Sequence, residues 1–343
     1  MSPRIAIRAD ATAKLGGGHI MRCLTLAQAL RRRGAEVAIF VNEEALVTVP
    51  RLKTEGAVHV CGPGADAAVA AIGALWPRGA DLAIVDLYAW SAVEERTLRR
   101  VAPSIAAIDD LANRPHEVDL LVDQTHGRTD GEYGPLAPAA QLMTGSRYAL
   151  LRSQFASMRE EALVRRRQGR IVERVFVSMG LTDLDGVTAK VTAALRAALP
   201  EVTLDVLLTS AATSLPMLKA LKDPKIELHV DEFETAPLMA RADLAVGAAG
   251  TTTWERCCVG LPSVVLVMAD NQREIAANLV SAGAARKAED VAGVAKEIAA
   301  LASDDAARLA MAEAAAAVVD GRGADLVAAA IMELASPQKR ARA

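Results

Sequence analysis

The chain has 343 residues, and its 39 Lys and Arg against 42 Asp and Glu leave a net charge of −3. With no basic surplus and only three Trp, three Tyr and four Phe, it lacks the composition of a nucleic-acid-binding module. Hydrophobic residues at 52% and charged residues at 24% exclude a disordered chain, and the length predicts about two globular domains.

Arg4 to Arg8 reads as a first strand. His19 to Arg33 follows as a helix, because Met21, Leu24, Leu26, Ala27 and Leu30 recur at helical spacing and Gly34 stops it. Further strands are expected at Glu36 to Asn42, Val58 to Cys61, Leu82 to Leu87, Ile105 to Asp109, Leu120 to Asp123 and Gln141 to Gly145. The basic stretch Glu160 to Arg170, with Arg165-Arg166-Arg167, reads as a solvated helix end and linker. The alternation then restarts, with strands at Val175 to Ser178, Leu204 to Thr209, Ile226 to Val230, Leu244 to Gly247 and Ser263 to Met268. An Ala-rich helical tail runs from Val291 to Ala335, and Pro337 to Ala343 is expected to fray.

This order predicts an α/β protein of two Rossmann-like, doubly wound parallel-sheet domains, at 1–155 and 172–335, with a linker at 156–171 and a tail at 336–343. Two such halves are expected to face a cleft, with ligands beyond the carboxyl ends of the strands. No apolar run reaches the roughly 20 residues of a membrane span. Met1-Ser2-Pro3-Arg4 leads straight into a strand pattern with no signal peptide. The four cysteines, Cys23, Cys61, Cys257 and Cys258, show no metal-ligand spacing and read as buried thiols of a cytoplasmic protein.

Five strand ends carry polar chemistry. After the first strand come Arg8-Ala9-Asp10 and then Gly16-Gly17-Gly18-His19, where the glycines expose backbone N–H groups beside a ligand. A neutral His19 at the start of the helix can act as a general base, or it is a structural histidine of a helix N-terminus. Gly247-Ala248-Ala249-Gly250-Thr251-Thr252-Thr253-Trp254-Glu255 opens a later helix with small residues and hydroxyls, an arrangement suited to a diphosphate. Glu255 can accept both hydroxyls of a ribose, or simply stabilise the helix N-terminus. Asp270-Asn271-Gln272 suits a sugar, or caps a helix. Asp86-Leu87-Tyr88 ends another strand. The pair Asp109-Asp110 can hold a metal or cap turns. Cys257 and Cys258 read as packing residues, and His59, His116, His126 and His229 carry no assigned role.

Taken together, Arg8-x-Asp10, Gly16-Gly17-Gly18-His19 with Arg22, Asp109-Asp110, Gly180 with Thr182-Asp183, Gly250-Thr251-Thr252-Thr253-Trp254-Glu255-Arg256-Cys257 and Asp270-Asn271-Gln272 form an ordered set. That set resembles the UDP-2,4-diacetamido-2,4,6-trideoxy-β-L-altropyranose hydrolase family of pseudaminic acid biosynthesis, over roughly residues 4–285. The resemblance implies a GT-B fold and a small-molecule UDP-sugar substrate, with no cofactor, metal, nucleic acid or membrane partner. It implies inverting cleavage of the anomeric C–O bond to UDP and 2,4-diacetamido-2,4,6-trideoxy-L-altrose, with His19 activating water. Asp10, Gly17, Gly18, Arg22, Tyr88, Asn271 and Gln272 are then expected to bind the sugar. Gly180, Thr182, Gly250, Thr251, Thr252 and Glu255 are expected to bind UDP. Two positions depart from the family pattern: Leu181 stands where a second glycine is usual, and Gly186 where Asn is frequent. A GT-B glycosyltransferase using a UDP-sugar donor and a non-catalytic nucleotide-sugar binding protein fit the same residues. The oligomeric state stays open, and a monomer is compatible with it.

Overall fold

The computed structural model describes residues 2–169 and 171–336. Its first sheet comprises β1 (Arg4–Ala9), β2 (Glu36–Val41), β3 (Val58–Val60), β4 (Leu82–Asp86), β5 (Ser104–Ile108), β6 (Leu120–Asp123) and β7 (Gln141–Thr144). These strands lie in the order β3-β2-β1-β4-β5-β6-β7, all parallel. The second sheet comprises β8 (Arg174–Ser178), β9 (Thr203–Leu208), β10 (Ile226–Val230), β11 (Leu244–Ala248), β12 (Ser263–Leu266) and β13 (Arg286–Ala288). Its order is β10-β9-β8-β11-β12-β13, again all parallel. The central strands are apolar nearly throughout because helices cover both faces of each sheet. Ala6, Phe40, Val85, Ile105 and Leu121 belong to one core, and Val175, Val177, Val206, Val246 and Val264 to another.

Every expected strand is present, with ends displaced by a residue or two. β13 was not expected, and for a reason: Arg286-Lys287-Ala288 is a three-residue edge strand with no apolar run to announce it. The Ala-rich tail is three helices, Val291–Ala302, Asp305–Val318 and Gly323–Leu334. Asp304 breaks the first from the second by accepting a hydrogen bond from the Ala307 N–H at 2.9 Å, as an N-cap does. Gly321, at φ +85°, turns the chain before the third.

The chain divides into two compact units, Met1–Leu151 with Arg322–Ala343, and Arg152–Gly321. This differs from the expected boundaries at two places. The expected linker 156–171 contains most of the helix Ser153–Arg167, which buries Phe155 and Ala162 in the second unit. Its basic end is not simply solvated. Arg165 pairs with Asp243 at 2.5 Å, and Arg166 donates to the carbonyl oxygens of Met239, Ala242 and Gly260. The Met239 and Ala242 carbonyls end a helix, which attracts a cation. The last helix, expected with the second half, joins the first unit. It packs along the helix Gly18–Arg32, and Arg33 donates to the Asp325 carbonyl at 3.1 Å. Gly323 starts it against the 148–149 backbone, where a Cβ would come within 2.4 Å of the Ala149 carbonyl oxygen. The expected fraying over 337–343 falls outside the described residues.

Candidate functional site

In each sheet the strand order reverses direction once, between β1 and β4 in the first and between β8 and β11 in the second. These are the topological switch points, where crevices form beyond the carboxyl ends of the strands. The sequence candidates gather at both.

At the first switch point Ala9 of β1 lies beside Asp86 of β4 in the sheet register. The chain leaves β1, turns through Gly16 at φ +79°, and enters the helix Gly18–Arg32 with Gly17 as N-cap. His19 therefore stands on the first turn, directly over the end of β4. Its Nδ1 lies 2.6 Å from Asp86 Oδ1. Arg22, one helical turn on, donates from Nε and Nη2 to the same carboxylate, each at 2.6 Å. The third nitrogen of Arg22 donates to Asp110 at 2.8 Å. All three central residues are buried: His19 is 5% exposed, Arg22 3% and Asp86 1%. Burial alone would favour a protonated Asp86, but the Arg22 guanidinium and then His19 outweigh it and hold the acid well below the usual carboxylate range. An ionised carboxylate only accepts, so Nδ1 of His19 carries the hydrogen, and the lone pair of a neutral imidazole is then confined to Nε2. No partner for Nε2 exists among the described residues. Tyr88 stands edge-on to the imidazole, with ring centroids 4.5 Å apart.

Arg22, Asp10 and the Asp109-Asp110 pair all have partners within this unit, and Asp109 accepts the Ala112 N–H at 3.0 Å, the turn-capping alternative. The Arg22 guanidinium meets Asp86 and Asp110 behind the imidazole. Asp10 closes the loop: it accepts from the buried Arg8 guanidinium and from the Asn42 N–H at 2.8 Å. The Asp109-Asp110 pair is split. Asp109 accepts from Arg114 at 2.7 Å and from the Tyr133 hydroxyl at 2.8 Å, while Asp110 turns to Arg22. Asp86, flagged in the sequence only as a polar strand end, is the residue that organises the cluster.

At the second switch point two loops adjoin, since Ser178 of β8 lies beside Gly247 of β11. The loop after β8 carries Gly180 at φ +103° and three more residues with positive φ, at Asp183, Asp185 and Gly186. The Asp183 carboxylate ties it down by accepting the N–H groups of Thr188 at 3.0 Å and Ser214 at 2.7 Å. Gly186 sits at φ 62°, ψ 35°, left-handed helical backbone that Gly and Asn both tolerate, so the departure there leaves the conformation unchanged. Leu181 is absent from the positive-φ residues and takes a side chain without backbone strain. Thr182 has no side-chain hydrogen bond among the described residues.

After β11 the turn passes through Ala249 and Gly250 into the helix Thr252–Cys258. Thr251 and Thr252 are half-buried and Thr253 is buried. Glu255 faces Arg152, with Oε1 at 2.8 Å from Nη2, and Arg152 also donates to Thr235 Oγ1 at 2.8 Å. Gln272 reaches the same turn from the short helix Asp270–Gln272 after β12, its Nε2 being 3.9 Å from where a Cβ on Gly250 would lie. Asn271 is exposed beside it. Cys257 and Cys258 are buried thiols, pushed by burial up to about 12 and about 11. Elsewhere in this unit Asp205, Glu227 and His229 cluster at metal-ligand spacing, but Arg174 and Arg241 already pair with both acids. Among the described residues, no helix is long and apolar enough to cross a membrane.

Two doubly wound parallel-sheet units, each with its polar residues at the switch point, define a GT-B fold, and solved structures agree. MurG from Acinetobacter baumannii superposes with a TM-score of 0.65 at 16% identity, over 96% of this chain and 99% of that one. The glycosyltransferase family 28 C-terminal domain model matches residues 208–326, about a third of the chain. An uncharacterized protein of Methanocaldococcus jannaschii is 24% identical over 280 residues, 79% of this chain but 57% of that protein, so the chain spans little more than half of it. The UDP-2,4-diacetamido-2,4,6-trideoxy-beta-L-altropyranose hydrolase of Campylobacter jejuni is 23% identical over 292 residues, 82% of this chain and 97% of that one.

Proposed function

We propose that this chain is a metal-independent, inverting hydrolase that cleaves UDP-2,4-diacetamido-2,4,6-trideoxy-β-L-altropyranose to UDP and the free sugar. The observation that carries the reading is the His19–Asp86 pair: an oriented imidazole with an unpartnered Nε2 at the carboxyl end of a central strand. The similarity to the Campylobacter jejuni hydrolase over most of both chains supports the choice of substrate. Water held by Nε2 attacks the anomeric carbon, the C–O bond to the diphosphate breaks, UDP leaves with the electron pair, and His19 takes the proton. A phosphate ionises for the last time at about pH 6, so this leaving group needs no strong general acid, unlike a sugar alkoxide. One displacement without an enzymic nucleophile inverts the anomeric centre. The reading assigns the base to the first unit, and UDP to Gly180, Thr182, Gly250, Thr251, Thr252 and Glu255 of the second. It assigns the sugar to Tyr88 beside the imidazole, with Gly17 and Gly18, and to Asn271 with Gln272. Four buried free cysteines support a cytoplasmic setting.

The test is incubation in heavy-oxygen water with no acceptor. We expect UDP release, label in the C1 hydroxyl of the sugar, and an inverted first-formed anomer. Label in UDP, or UMP as the nucleotide product, would refute the assignment of His19. The family 28 match favours a second reading, a glycosyltransferase using a UDP-sugar. Under it UDP is released only when an acceptor is added.

Glu255→Ala tests the nucleotide site by itself. Losing charge-assisted hydrogen bonds to a ribose should weaken UDP binding by about 1–3 kcal/mol. Calorimetry reads this directly, and unchanged affinity would return Glu255 to its contact with Arg152 and a role in the helix N-terminus alone.

A further inference from the structure

Among the described residues four arginines are buried: Arg8, Arg22, Arg128 and Arg256. Three of them meet carboxylates. Arg8 pairs with Asp10, Arg22 with Asp86 and Asp110, and Arg128 with Asp123 and Glu132. Arg256 meets none. It is 1% exposed, and lies beneath the turn that follows β11. Its Nη2 donates to the Ala248 carbonyl and to Thr253 Oγ1, both at 3.0 Å. Its Nη1 reaches Thr252 Oγ1 at 3.4 Å, and Nε has no partner. Glu255, adjacent in sequence, is turned to Arg152. The space is made for the guanidinium: a Cβ on Gly247 would lie 2.3 Å from Nη1 and 2.8 Å from the Ser178 carbonyl oxygen.

A buried cation without a counter-ion costs stability, and an apolar residue of similar volume in its place is often neutral or stabilising. Sites of function are where such a cost is retained. The charge also acts on its neighbours. Each threonine oxygen that accepts from Arg256 has that lone pair occupied, which leaves the Thr252 hydroxyl hydrogen to donate outward. Arg256 places a whole unit charge beside the turn in a low-dielectric setting.

We propose that Arg256 is a positioning residue for a diphosphate, its missing counter-charge being supplied by the anionic ligand held at the 248–253 turn. The inference rests on the nucleotide-site reading above and deepens it. Arg256 touches no ligand. It braces the turn from within, sets Thr252 as a hydrogen-bond donor and supplies the attracting charge. It therefore favours UDP over uridine, because both carry the base and ribose and only UDP carries the anion.

The experiment titrates wild type and the Arg256→Met, Arg256→Gln and Arg256→Lys variants with UDP and with uridine, and measures urea unfolding without ligand. In R256M we expect UDP affinity to fall about tenfold or more, uridine affinity to change less than about twofold, and the urea midpoint to stay or rise. R256K should keep most of the UDP preference, and R256Q should lose it. Unchanged UDP affinity in R256M overturns the proposal. So does an equal loss for UDP and uridine, which marks a scaffold residue, whereas a large drop in the urea midpoint passes the decision to the Gln and Lys variants. If R256M does not fold, the Gln and Lys variants decide: a preference kept by Lys and lost by Gln supports the proposal, and identical behaviour overturns it. Wild-type protein that binds neither UDP nor uridine refutes the nucleotide reading itself, and this inference with it, before any variant is compared.

Discussion

His19→Ala should lower turnover by roughly 10²- to 10⁴-fold while UDP affinity changes little, the range that a positioned general base contributes. The split between the two effects follows from the structure. His19 stands at the β1–β4 switch point of the first unit, whereas Thr252 and Glu255 stand at the β8–β11 switch point of the second. Loss of the imidazole leaves the second group untouched, so kcat falls and nucleotide binding does not. The helix start tolerates the change, because Gly17 caps it through its backbone and His19 makes no capping hydrogen bond. Steady-state kinetics of UDP release, with UDP calorimetry on the same preparation, measures both. Near-normal turnover would remove His19 from the mechanism, and a matching loss of UDP affinity would break the division of labour between the two groups.

How much of this was legible in the sequence depends on the range of the interaction. Strands announce themselves by local apolar runs, so the two parallel sheets were readable, and β13 was not, because Arg286-Lys287-Ala288 is polar. The Ala-rich face of Gly323–Leu334 says that the helix is buried but not against which partner. Its place on the helix Gly18–Arg32 depends on a glycine meeting backbone some 170 residues earlier. Likewise the strand-to-helix turns that carry His19 and Glu255 were legible, since a run of glycines and other small residues there is a local signal. What Asp86 and Arg22 do was not. Asp86 reaches His19 across 67 residues, through the pairing of β1 with β4, and that pairing also draws the Arg22 guanidinium inward. Arg256 looked like any basic residue on a short helix. Only the absence of a carboxylate around a buried guanidinium singles it out, and absence of a partner has no sequence signature. The two departures at Leu181 and Gly186 are resolved by backbone angles, which a family pattern does not contain.

Asp86→Asn should be nearly as damaging as losing His19, by roughly 10²- to 10⁴-fold in turnover, because it changes the state of the imidazole and not its position. Asp86 accepts hydrogen bonds from Nδ1 of His19 and from two nitrogens of Arg22, each at 2.6 Å. Asn has the same shape but one acceptor oxygen and an amide that donates. If its oxygen turns to Arg22, the amide N–H faces Nδ1, the imidazole moves its hydrogen to Nε2, and the base is lost. Turning the amide the other way leaves it against an N–H of Arg22. Either way the buried guanidinium keeps only Asp110 as a carboxylate partner, and breaking such a pair typically costs about 3–5 kcal/mol. Stability and chemistry are separable by their pH dependence. The Asp86 carboxyl titrates below its unfolded value, so its contribution to stability is complete above about pH 4, the ordinary aspartate pKa, and is lost as the pH falls toward the lower folded value. Urea unfolding of the wild type should therefore weaken through that acid range, and the Asn variant should show less of this weakening. At neutral pH the variant, assayed where it is fully folded, should still have lost its turnover, and raising the pH should not restore it, since a neutral imidazole with its hydrogen on Nε2 stays the wrong tautomer. Turnover recovered at high pH, or near-normal turnover in the folded variant, would assign Asp86 to stability alone and leave His19 without its orienting partner.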